Sequence, residues 1–574
     1  MEPNPNHAAA VRDLSVQDLR SVRAYVQSGM PWVWVTAAAI SASVIIVVAL
    51  LMLIAARGMP YFWPADVVAA EYREPGADPV KLLAEIVETE AVTSARLKSA
   101  GQRVDEQRAF YDRLLVKTGN RDLYGADFRP LLSDWLVERR YPENVVVLER
   151  MEWGNFYGEM TALKQAGEVI ASGPEAYTAW QDLQARANKL RDDIRDIERG
   201  EIGGINYGLE RVRLDRRRLE LENKTPVSHP DEYAALDQRK QTLEAQYGGL
   251  QERLGKLYGD IARDSVQMQT VDGQELEIPL SKIVRGYLPN AMNVFQKLGH
   301  YLVKLWEFVA DDPREANTEG GIFPAIFGTV LMVLLMSAIV TPFGVIAAVY
   351  LREYAKQGTF TRIVRIAVNN LAGVPSIVFG MFGLGFFVYF LGGSLDRLFY
   401  PEALPSPTFG TPGILWASLT LALLTLPVVI VATEEGLARI PRSLREASLA
   451  LGATQAETLW RVVLPMASPA MMTGLILAVA RAAGEVAPLM LVGVVKLAPS
   501  LPLDLNLPFL HLERKFMHLG FHIYDVGFQS PNVEAARPLV YATALLLVGV
   551  IVLLNLAAIR IRNRLRERYK ALDN

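Results

Sequence analysis

Cysteine is absent from the 574 residues, which excludes disulfides, thiol catalysis and cysteine-ligated metal without identifying a compartment. Histidine is scarce, at six residues. His511, His518 and His522 fall close together, but no acidic or sulfur partner shares their spacing, so they read as interfacial polar residues and no metal site is assigned. No G-x-x-x-x-G-K-[ST] phosphate loop, no H-E-x-x-H and no G-x-S-x-G occurs, and no catalytic residue is assigned. An excess of one charge is missing too. The formal net charge of −3 gives no argument for a nucleic-acid partner.

What the chain has in quantity is apolar sequence, 51% of its residues. Six runs are long enough to span a bilayer: 32–56, 323–351, 363–392, 412–433, 467–495 and 538–559. The first is longer than the apolar part of a signal peptide and reads as a retained anchor. Pro342, Pro375 and Pro488 lie inside such runs, where neighbouring helices re-satisfy the backbone.

Lysine and arginine near the span ends set the orientation. The 352–362 loop carries Arg352, Lys356 and Arg362, the 434–466 loop carries Arg439, Arg442, Arg445 and Arg461, and the 560–574 tail is strongly basic; these belong in the cytoplasm. Alternation puts residues 1–31, with Arg12, Arg20 and Arg23, there as well, and places 57–322, 393–411 and 496–537 outside, with Arg57 as a single exception. The domain plan is therefore a cytoplasmic segment 1–31, a first span 32–56, an outside insert 57–322, a five-span core 323–559 with a cytoplasmic loop 434–466, and a basic tail 560–574.

The insert reads as α+β. Its first half mixes helical segments with a strand at Val145–Leu148. Between about 176 and 263, apolar residues recur at three-four spacing in two stretches, Trp180 to Ile197 and Leu243 to Ile261, giving a coiled-coil-like helical hairpin. Gly200, Gly203 and Gly204 weaken the first arm, and an arm of about thirty residues reaches roughly 45 Å. Asp272-Gly273 marks a two-residue hairpin turn. The charged helical faces read as a solvated spacer.

Two stretches carry more chemistry. In 434–465, Ser443 stands three before Glu446 and Thr454 three before Glu457, so two capping boxes predict two helices, with a bend at Gly452 and Leu444, Ala447 and Leu451 on one face. Such a knuckle can dock into another protein. In the fifth run, Arg481 falls near mid-bilayer with Glu485 four residues on, both on one helical face. Either the two form an ion pair locking helices together, or Arg481 faces a polar path and offers its donors to an oxyanion while Glu485 holds the guanidinium.

Glu446-Ala447, Gly452, Val462 and Leu464-Pro465 keep the spacing of the EAA loop in membrane subunits of binding-protein-dependent ABC importers, which this stretch resembles. Ser448 and Val462 are conservative departures. TEGGIFPAIFGTV at 318–330, TPFGVIAAVYLREYA at 341–355, NNLAGVPSIVFGMFGLG at 369–385 and ARAAGEVAPLMLVG at 480–493 look like the PstA-type permeases of phosphate-specific importers, with Val486 where that family usually has Thr. The resemblance covers 318–570 and implies nothing about the insert.

It implies an α-helical polytopic membrane protein of the type I ABC importer permease fold, in a bacterial inner membrane, where the orientation read from the charges makes the insert periplasmic. It implies inorganic phosphate as cargo, a PstC-type second permease as heterodimer partner, a PstB-type ATPase dimer carrying the ATP and Mg, and a PstS-type periplasmic phosphate-binding protein. The chain itself binds no cofactor and meets membrane lipid. Glu446, Ala447, Gly452, Leu464 and Pro465 would couple to the ATPase; Arg481 and Glu485 would lie on the substrate pathway. Sulfate, molybdate or phosphonate as cargo, and a signalling or scaffold role in phosphate sensing, stay open as alternatives.

Overall fold

The computed structural model describes residues 28–570, apart from 103, 106, 531 and 532. Arg12, Arg20 and Arg23, on which the reading of the first segment rests, and residues 571–574 of the tail lie outside the described residues.

Among the described residues six helices are long and apolar enough to cross a membrane: Met30–Phe62, Phe323–Tyr354, Ser376–Phe399, Ile414–Arg439, Gln455–Gly484 and Ala536–Glu567. All six apolar runs fall on them, but three differ in extent. The third run was expected to begin at 363. Instead Thr359–Leu371 forms a separate amphipathic helix, and the chain breaks before Pro375, whose ring disfavours helix at the residue ahead of it. The fourth span continues as helix past 433 to Arg439, so the polar stretch begins on a helical extension. The fifth starts earlier, at Gln455, and stops at Gly484.

The fourth span is the axis of the core. Its apolar window is 67% buried, against 0% for Met30–Phe62, which exposes its sides as a lipid-facing helix does. Small residues let the neighbours close on it. A Cβ on Gly344 would sit 2.6 Å from Val429, one on Gly474 2.6 Å from Ala432, and one on Gly436 2.5 Å from Ala470. The first span touches the sixth where Gly58 meets the backbone of Tyr541 and Ala542.

Between the first two spans lie two large antiparallel sheets and a short ribbon pairing Pro313–Arg314 with Glu319–Gly320. One has the order β4-β3-β2-β1-β5, built from β1 Val67–Tyr72, β2 Val80–Thr93, β3 Phe110–Lys117, β4 Phe128–Leu132 and β5 Leu136–Arg140. The other has the order β10-β9-β7-β6-β11, with β8 on β7; its strands are β6 Val145–Arg150, β7 Phe156–Gln165, β8 Glu168–Ser172, β9 Asp264–Gln269, β10 Glu275–Pro279 and β11 Ile283–Tyr287. This region holds far more strand than its sequence suggested. In β2, VKLLAEIVETEAVT, strong helix formers are carried by pairing to β1 and β3, and tertiary context overrides propensity. The turn expected at Asp272-Gly273 is one residue longer: Thr270 and Gln274 close a loop over 271–273, with Gly273 at φ +81°.

The hairpin's first arm starts as Pro174–Asp196, seated on the second sheet through Trp180, Ala187 and Ile194. It passes through a π-turn at Ile197–Glu201, which contains Gly200, and continues as Ile202–Leu221. The glycines loosen the winding without breaking the helix. The second arm, Pro230–Ala262, returns to β9. The hairpin does not stand free as a spacer. Arg218 bonds Glu402 at 2.5 Å, and the Tyr207 hydroxyl donates to the Leu507 carbonyl, so the first arm lies against loops of the spanning core.

Candidate functional site

The knuckle is a bent pair of helices. Span four ends at Arg439 because Pro441 follows, and Arg442–Ala450 begins directly from Pro441 as its N-cap. This overturns the first capping box: Ser443 lies inside the first turn and caps nothing. The second box is present in full, with Thr454 accepting from the Glu457 amide at 3.2 Å and Glu457 accepting from the Thr454 amide at 3.0 Å. Gly452 stands at φ +86° between them, with Gly452 N–H on the Leu449 carbonyl at 3.0 Å and Ala453 N–H on the Ser448 carbonyl at 3.3 Å. These two bonds make the Schellman stop that a left-handed glycine permits. The Ser448 and Thr458 hydroxyls bond at 2.9 Å across the bend.

The expected shared face of Leu444, Ala447 and Leu451 is split. Leu444 packs into the cluster of Leu437, Leu459 and Val463, whereas Ala447 is exposed and Leu451 is 89% exposed. Glu446 is exposed beside them, as are Leu449 and Trp460. Leu464 joins the same cluster from within a continuous helix. Pro465, lacking an amide, sits just after a π-turn at Leu459–Val463, where the regular ladder has been given up.

Two ion pairs that sequence reasoning missed lie at this end of the core, one rooting the knuckle on span two and one tying the helix before span three to span four. Arg445 reaches Glu353 at 2.8 Å and the Leu437 carbonyl at 2.9 Å. Arg365, on the helix preceding span three, reaches Glu434 at 3.2 Å. Arg445 was counted only as a positive charge and Arg365 fell within the third apolar run, so neither carried a signal of pairing; their partners lie 92 and 69 residues away. The tip exposes apolar side chains, and its root is joined to span two by the half-buried Arg445–Glu353 pair.

The second site is the broken end of span five. Its helix stops at Gly484, and Glu485 is already extended, ψ 133°, so the two charges do not share a helical face as expected. They still meet, Arg481 Nε to Glu485 Oε1 at 3.5 Å, with side chains 34% and 21% exposed. Arg481 occupies the last turn, where unsatisfied carbonyls favour a cation. Among the described residues it has no other ion-pair partner, and its terminal nitrogens are left for a further acceptor.

Irregular chain at this depth needs enclosure. A Cβ on Gly380 would come within 2.7 Å of Pro488, one on Gly383 within 2.9 Å of Val492, and one on Gly493 within 2.7 Å of the Gly413 carbonyl. Val486 is seated against Gly520, whose added Cβ would lie 2.6 Å from it, beside His518. All three histidines are buried; His518 and His522 stand one helical turn apart, and His511 holds Asp504 at 3.0 Å and Glu513 at 3.1 Å, acidic partners that its spacing did not reveal. Although burial alone would raise it, the Asp504 carboxyl is drawn down to about 2 by its bonds to Arg514, Asn506 and His511. Among the described residues no group of three or more His, Asp or Glu side chains is arranged for a metal.

Comparison with known proteins gives one family model, "Binding-protein-dependent transport system inner membrane component", over residues 340–570. The phosphate transport system permease protein PstA 1 of Mycobacterium tuberculosis (strain CDC 1551 / Oshkosh) is 36% identical over 245 residues, 42% of this chain and 71% of that protein. The probable ABC transporter permease protein YqgI of Bacillus subtilis (strain 168) is 31% identical over 258 residues, 44% of this chain and 81% of that protein. Among solved structures, the inward-facing MetNI methionine ABC transporter is similar over 46% of this chain and 97% of that one, at 20% identity and a TM-score of 0.31.

Proposed function

The chain belongs to the binding-protein-dependent transport system inner membrane components, among the PstA-type permeases, and on that premise we propose how it works. It is the membrane subunit of a phosphate ABC importer, a permease and not a catalyst; an ATPase and a binding protein act with it. The observation that carries this reading is the 36% identity to a phosphate permease across 71% of that protein's length. In finer detail, the partners are a PstC-type permease, a PstB-type ATPase dimer using ATP and Mg, and a PstS-type binding protein. Both termini are cytoplasmic and the 57–322 insert is periplasmic, in keeping with the arginines of the loops and tail.

Glu446, Ala447 and the exposed apolar tip seat in the ATPase; Gly452 sets the bend, and Leu464 and Pro465 carry the movement into span five. Arg481 binds the phosphate oxyanion through the donors that Glu485 leaves free, and Glu485 holds the guanidinium between transport events. Uptake of labelled phosphate by cells relying on this chain tests both assignments. Gly452→Trp should abolish uptake with the subunit still inserted, and Arg481→Ala should do so with the ATPase still docked. Normal uptake by Gly452→Trp removes the coupling assignment. Competition by arsenate, and none by sulfate or molybdate, is the expected anion profile.

A further inference from the structure

A cavity of about 1210 Å³ lies where the first and last spans meet the sheets. Ala55 and Ala56 of the first span and Tyr541 of the last contribute to its walls, so its mouth adjoins lipid-facing helices. The helix Val294–Ala310 forms another wall and marks the depth. A full capping box, Asn293 with Gln296, starts it. Its inner face is tied down by Lys304 to Glu149 and by Glu307 to Arg285. Its outer face presents Phe295, Leu302 and Trp306 at 84%, 57% and 71% exposure, one stripe with nothing covering it among the described residues. Phe62 and Trp63, at the end of the first span, touch its Tyr301 at 6.3 and 6.0 Å. An amphipathic helix with a bare aromatic stripe beside the end of a membrane span lies in the headgroup layer. The cavity therefore opens at headgroup depth.

Its interior carries both signs of charge, and internal pairing does not exhaust them. Arg57 with Glu88, at 2.9 Å, and Lys304 with Glu149 are matched. Glu85, Glu319, Lys117 and Arg314 line the cavity without an ion-pair partner among the described residues, as does Arg537 from the last span. Glu85 Oε1 and Arg314 Nε are buried with no hydrogen-bond partner. Tyr287, 6% exposed, also lines the cavity. Burial pushes the Glu85 and Glu319 carboxyls up, and the nearby Lys117, joined at Glu319 by Arg314, opposes this without cancelling it.

We propose that this chamber holds the headgroup of a phosphatidylethanolamine-type lipid, with its ammonium on Glu85 and Glu319 and its phosphate toward Arg537. The acyl chains leave between the first and last spans. A lining of both signs suits a zwitterion better than a plain anion. An ethanolamine ammonium has N–H donors to offer the carboxylates that line the chamber, which a choline lacks.

The full-length chain, purified in mild detergent, is mixed with equal amounts of phosphatidylethanolamine, phosphatidylcholine and phosphatidylglycerol of matched acyl chains, and retained lipid is measured by mass spectrometry after gel filtration. Phosphatidylethanolamine should be enriched about tenfold over either competitor. Glu85→Gln with Glu319→Gln should erase the enrichment at an unchanged melting temperature. If that pair does not fold, Arg537→Gln at the exposed mouth should lower retention in its place. Soluble phosphoethanolamine at the lipid's concentration should leave the bound lipid in place. Equal retention of the three lipids, undiminished enrichment in the folded variants, or displacement by the soluble headgroup overturns the proposal.

Discussion

At the scale of single residues, the same sequence pattern succeeded once and failed once within fifteen positions, and the difference is proline. Thr454 and Glu457 form their box because Ala453 and Thr454 are free to be extended ahead of the helix. Ser443 and Glu446 have the same spacing, but Pro441 supplies the start and draws Ser443 into the helix. Gly452 was legible because only its left-handed φ was needed, whereas Arg445–Glu353 was not, since nothing local announces a partner in another span. Two predictions belong here. Gly452→Ala places a Cβ at φ +86° and should cost about 1–2 kcal/mol in that turn, leaving uptake reduced but present, unlike the tryptophan. Arg445→Ala strands Glu353, 17% exposed, and should cost about 1–3 kcal/mol. A double-mutant cycle with Glu353→Gln, read from thermal unfolding in detergent, should recover much of the loss; additive losses would show that the pair does not anchor the knuckle.

At the scale of elements, apolar length made all six spans legible, but where a span breaks was not. Gly484 and Pro488 are tolerated inside membrane helices, so the halt before Glu485 depends on glycine contacts from other spans, at Gly380, Gly383 and Gly413. Gly380→Leu should therefore displace Pro488 and the Arg481–Glu485 pair, giving an inserted subunit with little uptake. The helix Val294–Ala310 yields a pH prediction. His300 is held down at about 4 by burial, with Glu149, Lys304 and Arg285 around it, so the fold keeps it neutral. As pH falls from its ordinary 6.5 toward 4, the unfolded chain takes up the proton first and the helix loses stability. Glu149 is lowered to about 2 against its own burial, chiefly by Lys304 and Arg285. Its contribution is intact above the ordinary carboxylate value of 4.5 and disappears as pH falls toward 2. Amide exchange across 294–310 should quicken in two steps, and His300→Phe should remove only the upper one.

At the scale of the whole molecule, the insert and the core make contact, which periodicity could not foretell. Three-four spacing shows that Leu243 or Ile261 faces an inner seam; it does not show that Tyr207 and Arg218, on the outer side of the first arm, meet Leu507 and Glu402 in two loops of the core. Glu402 is 3% exposed at its side chain and its carboxyl lies below the ordinary value; burial opposes this and the Arg218 bond outweighs it. The arm is thus joined to the core at a buried acid, and removing Arg218 would leave that carboxylate without its partner. A chain without cysteine offers a clean test. Arg218→Cys with Glu402→Cys, treated in membranes with a short bis-maleimide, should give an internally linked, faster-migrating band, while either single cysteine should not. Lys256→Cys with Glu402→Cys is the control: the neighbouring Tyr258 bonds Glu198, roughly 30 Å down the first arm from Arg218, and this pair should link poorly. Equal linking of both pairs, or none, would mean the arm swings freely, and the hairpin would then be the projecting spacer that its charged faces alone suggested.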